Sequence, residues 1–252
     1  MPLEFARRLT GRQRSAQADR QLGFGLAFVA GAVNAGGFLA VQQYTSHMTG
    51  IVSAMADNLA LGAFDLVLVG LGALLSFLAG AVCSTVMVDL ARQQKLNSEF
   101  ALPLLLEALL LLGFGVLGAA LSQVRGLFVP VTVMWLCFIM GLQNAVITKL
   151  SGSVIRTTHI TGVVTDIGIE LGKLLVHRGR FNAQHLNTLG RLALCFFVGG
   201  VVGALGFKQM GYVSTIPLAL VLVSLAGVPA MDDLRTLLRA WRDKRRLPSQ
   251  RE

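Results

Sequence analysis

The chain has 252 residues, 54% of them hydrophobic and 14% charged, with a formal net charge of +9. Apolar runs of about 18 to 25 residues match the ~30 Å hydrocarbon layer of a bilayer at ~1.5 Å rise per residue, which excludes an ordinary soluble domain. Strands that span a membrane need alternating polarity, which is absent. The basic residues sit at the two ends and in one central loop, as the positive-inside rule expects of cytoplasmic segments, so the charge does not imply nucleic-acid binding.

Residues 1–21, with Arg7, Arg8, Arg12, Arg14 and Arg20, read as a basic cytoplasmic tail that fixes orientation. They hold no apolar stretch, so no cleavable signal peptide is expected. Apolar segments follow at 22–44, 47–62, 65–90, 101–121, 127–148, 157–176, 190–207 and 212–229. Residues 22–229 form one membrane domain, and 230–252 form a basic cytoplasmic tail whose pattern suggests a short amphipathic helix.

A motif recurs in this domain. Gly31-x-x-Asn34-Ala35 precedes His47-x-Thr49-Gly50; Gly141-x-x-Asn144-Ala145 precedes His159-x-Thr161-Gly162. Shared order and near-equal spacing mark two copies of one unit, about 22–121 and about 127–229. The fold class is therefore all-α: a polytopic membrane bundle of two sequence-related halves. The second segment of each half is short and polar. If the two short segments do not cross, six full spans and two short discontinuous helices result. Of the 22 Lys and Arg residues, only Arg125 and Lys208 then lie outside. Eight spans are the alternative; they move Arg92, Lys95, Lys149 and Arg156 outside beside Lys208, and Arg125 inside. Six fits the charge better. Three spans per half also invert the halves, an arrangement of many secondary transporters.

The motif has a chemistry. Thr49 and Thr161 lie near a helix start, where hydroxyls cap free N–H groups. Gly50 and Gly162 permit close approach of backbone or ligand. A helix N-terminus favours an anionic group, and His47 and His159 exchange protons near neutral pH. Asn34 and Asn144 add amide donors and acceptors. Two such ends meeting in mid-membrane would make a substrate site for a small solute, with an anion among the expected classes. The competing reading is interhelical hydrogen-bond glue. Glu107 inside a span, and Asp57, Asp166 and Glu170 beyond the motifs, are candidates for proton or ion coupling. The alternatives are a structural partner for Glu107 and water-facing residues for Asp57 and Glu170.

No catalytic residue, cofactor or metal site is expected. Cys83, Cys137 and Cys195 read as packing residues, and His177 and His185 in a basic loop make a poor metal pair. Gly199-x-x-x-Gly203 reads as tight helix packing, with a homodimer as its other use.

On these same residues the chain resembles the YoaK-type bacterial membrane proteins, a group long catalogued only as a domain of unknown function. The resemblance covers roughly residues 22–229 and implies a bacterial cytoplasmic-membrane location without naming a substrate. Members of that group often carry Asp where this chain has Asn34 and Asn where it has Ile51, which puts charge coupling at Asn34 in doubt. The leading expectation is a small-solute transporter of the inner membrane, not an enzyme, with both termini cytoplasmic. The bilayer is its surroundings and an unknown solute its partner. The alternative is a scaffold or sensor acting through its basic tails.

Overall fold

The computed structural model describes residues 15–96, 98–121, 125–150, 158–176 and 181–246, and all their regular elements are helical. In order they are α1 (Ala16–Val41), α2 (Met48–Ala60), α3 (Phe64–Gln93), α4 (Ala101–Leu121), α5 (Arg125–Leu150), α6 (Ile160–Val176), α7 (Ala183–Met210), a 3-10 turn (Gly211–Ser214) and α8 (Thr215–Arg246). The basic tail over 1–14, Thr157, and the loop residues His177, Arg178 and Arg180 lie outside the described residues.

The long helices outrun the apolar segments, because a helix follows its backbone bonds and caps as well as its hydropathy. The Ser15 hydroxyl caps α1, accepting the Ala18 N–H at 3.2 Å. Asn182 caps α7 by accepting the His185 N–H at 3.0 Å, so His185 is helical and not part of the loop. The expected separate tail helix is instead the end of α8, which continues through Pro229 to Arg246. Five stretches are long and apolar enough to cross a bilayer. The last, Ala183–Arg235, has 53 residues. At ~1.5 Å rise it is far too long for one crossing, and the 3-10 turn divides it between α7 and α8.

Packing fixes the directions. Gln143 of α5 donates to the Leu26 carbonyl of α1 at 3.1 Å, while Gly37 lies beside Leu136, so α1 and α5 are antiparallel. On α3 and α5, Gly72 meets Met134, Gly80 meets Phe138, and Asp89 pairs with Lys149; these two helices run parallel. On α1 and α7, Phe28 meets Gly199, Ala32 meets Gly203, and Phe207 lies near Gly36; these also run parallel. Hence α1 and α3 point in opposite directions. Helices α4 and α8 are antiparallel, joined by the Thr215 hydroxyl on the Leu111 carbonyl and the Ser98 N–H on Asp233.

The core lies among α1, α4, α5 and α8, around Leu26, Leu104, Leu111, Ile139, Met140 and Leu222. Helix α3 sits at the outside: 17% of its apolar window is buried, against 61% for α5. Leu68, Leu71, Leu75, Leu78, Val82 and Val86 form an exposed stripe along it, and Leu194, Phe197, Val201 and Leu205 do so on α7. Helices apolar on their outward face suit hydrocarbon, not water. Gly199 and Gly203 both face α1, so this small-residue motif is consumed inside the chain.

The closest backbone approaches share one pattern, Phe-x-x-Gly, at Phe28–Gly31, Phe77–Gly80, Phe138–Gly141 and Phe196–Gly199. A side chain at Gly31 would strike the Phe196 carbonyl, and one at Gly199 the Phe28 carbonyl. Likewise Gly141 lies on the Phe77 carbonyl and Gly80 on that of Phe138. Small residues allow this contact where lipid offers no hydrophobic drive to association.

Candidate functional site

Helix α1 is followed by a segment that turns back toward the bundle interior. Helix α1 ends on Gln42, in the left-handed region at φ 56°, with its N–H on the Phe38 carbonyl at 2.7 Å. The chain then descends through the buried Thr45. Ser46 donates both its hydroxyl (2.9 Å) and its N–H (3.3 Å) to the Asn34 side-chain oxygen. His47 stands at the N-cap of α2 without a side-chain capping bond. Its ring folds over Gly50, where a Cβ would sit 2.6 Å from Nδ1. The glycine is there for the histidine: the room it makes is taken by the imidazole of its own motif, not by another backbone.

The second copy is built the same way. Thr158 donates its hydroxyl to the Asn144 oxygen at 2.6 Å, and the Asn144 amide donates to the Met140 carbonyl at 2.7 Å. The His159 ring lies over Gly162. In both copies, then, the asparagine oxygen accepts from the hydroxyl residue just before the histidine. Ser46 and Thr158 were readable as that shared hydroxyl, but their role as the asparagine's partner needs the fold.

The structure does not merge the two motifs into one pocket around the asparagines. Asn144 neighbours Gln143, which reaches Leu26, so Asn34 and Asn144 are offset by eight residues along α1, or about 12 Å. Helix α2 packs on α3, with Met55 against Gly70 and Ile51 in a cluster with Ala73 and Cys137. Helix α6 packs on α7 instead, and Glu170 accepts the Asn182 N–H at 3.1 Å.

A cavity of about 410 Å³ opens beside the first motif, lined from α1, the 42–47 turn, α2 and α3. His47 and Gly50 line it, and so do Gln42, Gln43, Tyr44 and Asn58, which the sequence reading did not single out. Phe38 and Tyr44 stack on its wall with ring centroids 4.5 Å apart and planes 21° from parallel. Asn34 and Thr49 do not line it, and Thr49 is exposed, as is Thr161.

The acids separate into three kinds. Asp57 and Asp166 are exposed. Glu170 is buried but engaged, with Lys173 at 2.7 Å and the Asn182 N–H as partners. The Lys173 hydrogen bond first, then that of Asn182, hold its carboxyl below the usual carboxylate range. Glu107 is fully buried in α4, and neither of its oxygens has a hydrogen-bond partner among the described residues. Among those residues no group of three or more His, Cys, Asp or Glu is placed to hold a metal ion.

Residues 22–228 match the family model described as "Protein of unknown function (DUF1275)". The chain is 29% identical over 204 residues to the UPF0700 transmembrane protein YoaK of Bacillus subtilis (strain 168), covering 78% of this chain and 88% of that protein. No solved structure matches. A helical bundle with outward apolar faces and a family match across nearly all of it agree: the chain belongs to the YoaK-type membrane proteins, a family of unknown function.

Proposed function

We propose that the protein is a small-solute transporter of the bacterial inner membrane, built from two inverted halves with six full spans and two half-helices that enter and leave by the same side. The single observation that carries this reading is the cavity at His47, formed where the chain breaks and turns back into the bundle. Broken helices at a solute cavity are a transporter device, because irregular backbone inside a bilayer is tolerated only where protein or a water-filled cavity receives it.

Three observations support the inverted repeat. Burial class is identical residue for residue over Gln21–Phe38 and Val131–Thr148. The pairs α1–α7 and α3–α5 exchange when the halves are exchanged. The opposite directions of α1 and α3 favour six spans over eight. In this reading both termini are cytoplasmic, and Lys95, between α3 and α4, is too. A cysteine placed at Lys95 in a chain without native cysteines should resist a membrane-impermeant thiol reagent in intact spheroplasts and react after permeabilisation. Reaction from outside would sink the inverted topology.

Glu107 is the coupling candidate of this proposal, because a carboxyl buried inside a span without a partner among the described residues is a functional candidate by default. Asp57 and Asp166, both water-facing, and Glu170, held by Lys173, are weaker candidates. The test is solute flux in proteoliposomes over a broad panel of labelled solutes. His47→Ala and Glu107→Gln should each cut flux at least about tenfold while the protein still elutes as a folded species, and deletion of 247–252 should leave flux intact. Full flux in both point variants, or no flux for any solute, would overturn transport; loss of cellular function on tail removal alone would favour a scaffold.

A further inference from the structure

The cavity beside His47 carries an inference about the class of solute, and this inference rests on the transport reading of that cavity. Its polar lining residues are Gln42, Gln43, Tyr44, His47 and Asn58. No Asp, Glu, Lys or Arg lines it, although Asp57 is the next residue to Asn58 on α2. Each amide both donates and accepts, so the wall answers a solute that does the same. The stacked Phe38 and Tyr44 rings add a flat apolar face, with Tyr44 nearly half exposed and open to further stacking. The volume of about 410 Å³ lies in the range of small-molecule pockets.

Charge decides between a neutral and an anionic solute. The first turn of α2, at Gly50, borders the cavity, and a helix N-terminus attracts negative charge. That attraction is weaker than the cost of stripping water from an ion where no Lys or Arg lines the wall. We infer that the site takes an uncharged, planar solute carrying both hydrogen-bond donors and acceptors, of the aromatic amide or nucleobase kind. This replaces the anionic solute that the helix end alone suggests.

The test uses the full chain purified in detergent and matched probe pairs in which a neutral compound is compared with a carboxylate: nicotinamide with nicotinate, benzamide with benzoate, uracil with orotate. Binding is read by calorimetry. At least one neutral member should bind about tenfold or more tightly than its carboxylate partner. Asn58→Ala and Tyr44→Leu should each weaken that binding about tenfold, Tyr44→Phe should retain most of it, and Lys208→Ala, outside the cavity, should leave it unchanged. Equal or tighter binding of the carboxylates would overturn the inference. So would neutral binding indifferent to Asn58→Ala and Tyr44→Leu, or no neutral binding at millimolar concentration. The two readings fail separately. Binding of a neutral probe without flux removes transport and keeps the ligand class; flux of carboxylates without neutral binding keeps transport and removes the class.

Discussion

The pairs α1–α7 and α3–α5 are built on the same contact and finished differently. In both, two glycines lie against two phenylalanine carbonyls, and both pairs run parallel. At the far end of α3–α5, Lys149 reaches Asp89 at 2.6 Å, and Arg92 ties that end to Glu99 at 2.7 Å. Carrying the glycine register along the other pair puts Leu39 where Lys149 stands and Lys208 where Asp89 stands. No ion pair is possible there. The contact that sets the distance between helices is retained in both pairs, whereas the groups at their ends are free to differ. Under the proposed inverted arrangement one such end would lie at each face of the membrane, and the two faces would then differ in their end contacts.

The glycine contact is the place where the two pairs can be forced apart. Gly141→Val drives a side chain into the Phe77 carbonyl, and Gly31→Val drives one into that of Phe196. Neither carbonyl can move without its helix, so each change should cost about 3 kcal/mol or more, at the upper end of overpacking. Gly25→Ala has nothing within 4 Å of the added atom and gains helix propensity; it should be neutral or stabilising by up to about 1 kcal/mol. Thermal unfolding of the detergent-solubilised variants measures all three. Equal losses for Gly31 and Gly141 fit a shared scaffold; a loss at one and not the other breaks the equivalence of the pairs.

How far this was legible in the sequence depends on the range of the interaction. Membrane class and the break after α1 follow from hydropathy and from the motif at His47, which are local signals. The Phe-x-x-Gly pattern is equally local and was in plain view, yet its meaning lies in a partner helix more than a hundred residues away for α1 and α7. Asn34 and Asn144 were readable as important. Their use as acceptors for Ser46 and Thr158 depends on the chain turning back, which no periodicity encodes. Gly50 needs the fold too: it lines the cavity, while the room beside its Cα is taken by the His47 ring. Helix ends were the least legible. Asn182 starts α7 seven residues before its apolar run, and α8 continues past its own.

The smaller effect lies at the unlike ends. Lys149→Ala leaves Asp89 without its nearest partner, and the Lys149 contact with the Thr85 carbonyl at 3.5 Å is lost with it. The Asp89 side chain is half exposed, so water screens the pair and replaces part of the loss. The expected cost is small, as for exposed ion pairs. Lys208→Ala, at the corresponding place on α7, has no such partner to lose and should change stability by less than about 0.5 kcal/mol. If the Asp89–Lys149 pair also holds one face closed, Lys149→Ala should expose a cysteine placed at Thr85 to a thiol reagent faster than in the parent, while Lys208→Ala leaves that rate unchanged. An unchanged rate in both would reduce the pair to a local surface contact and leave the two ends different in sequence only.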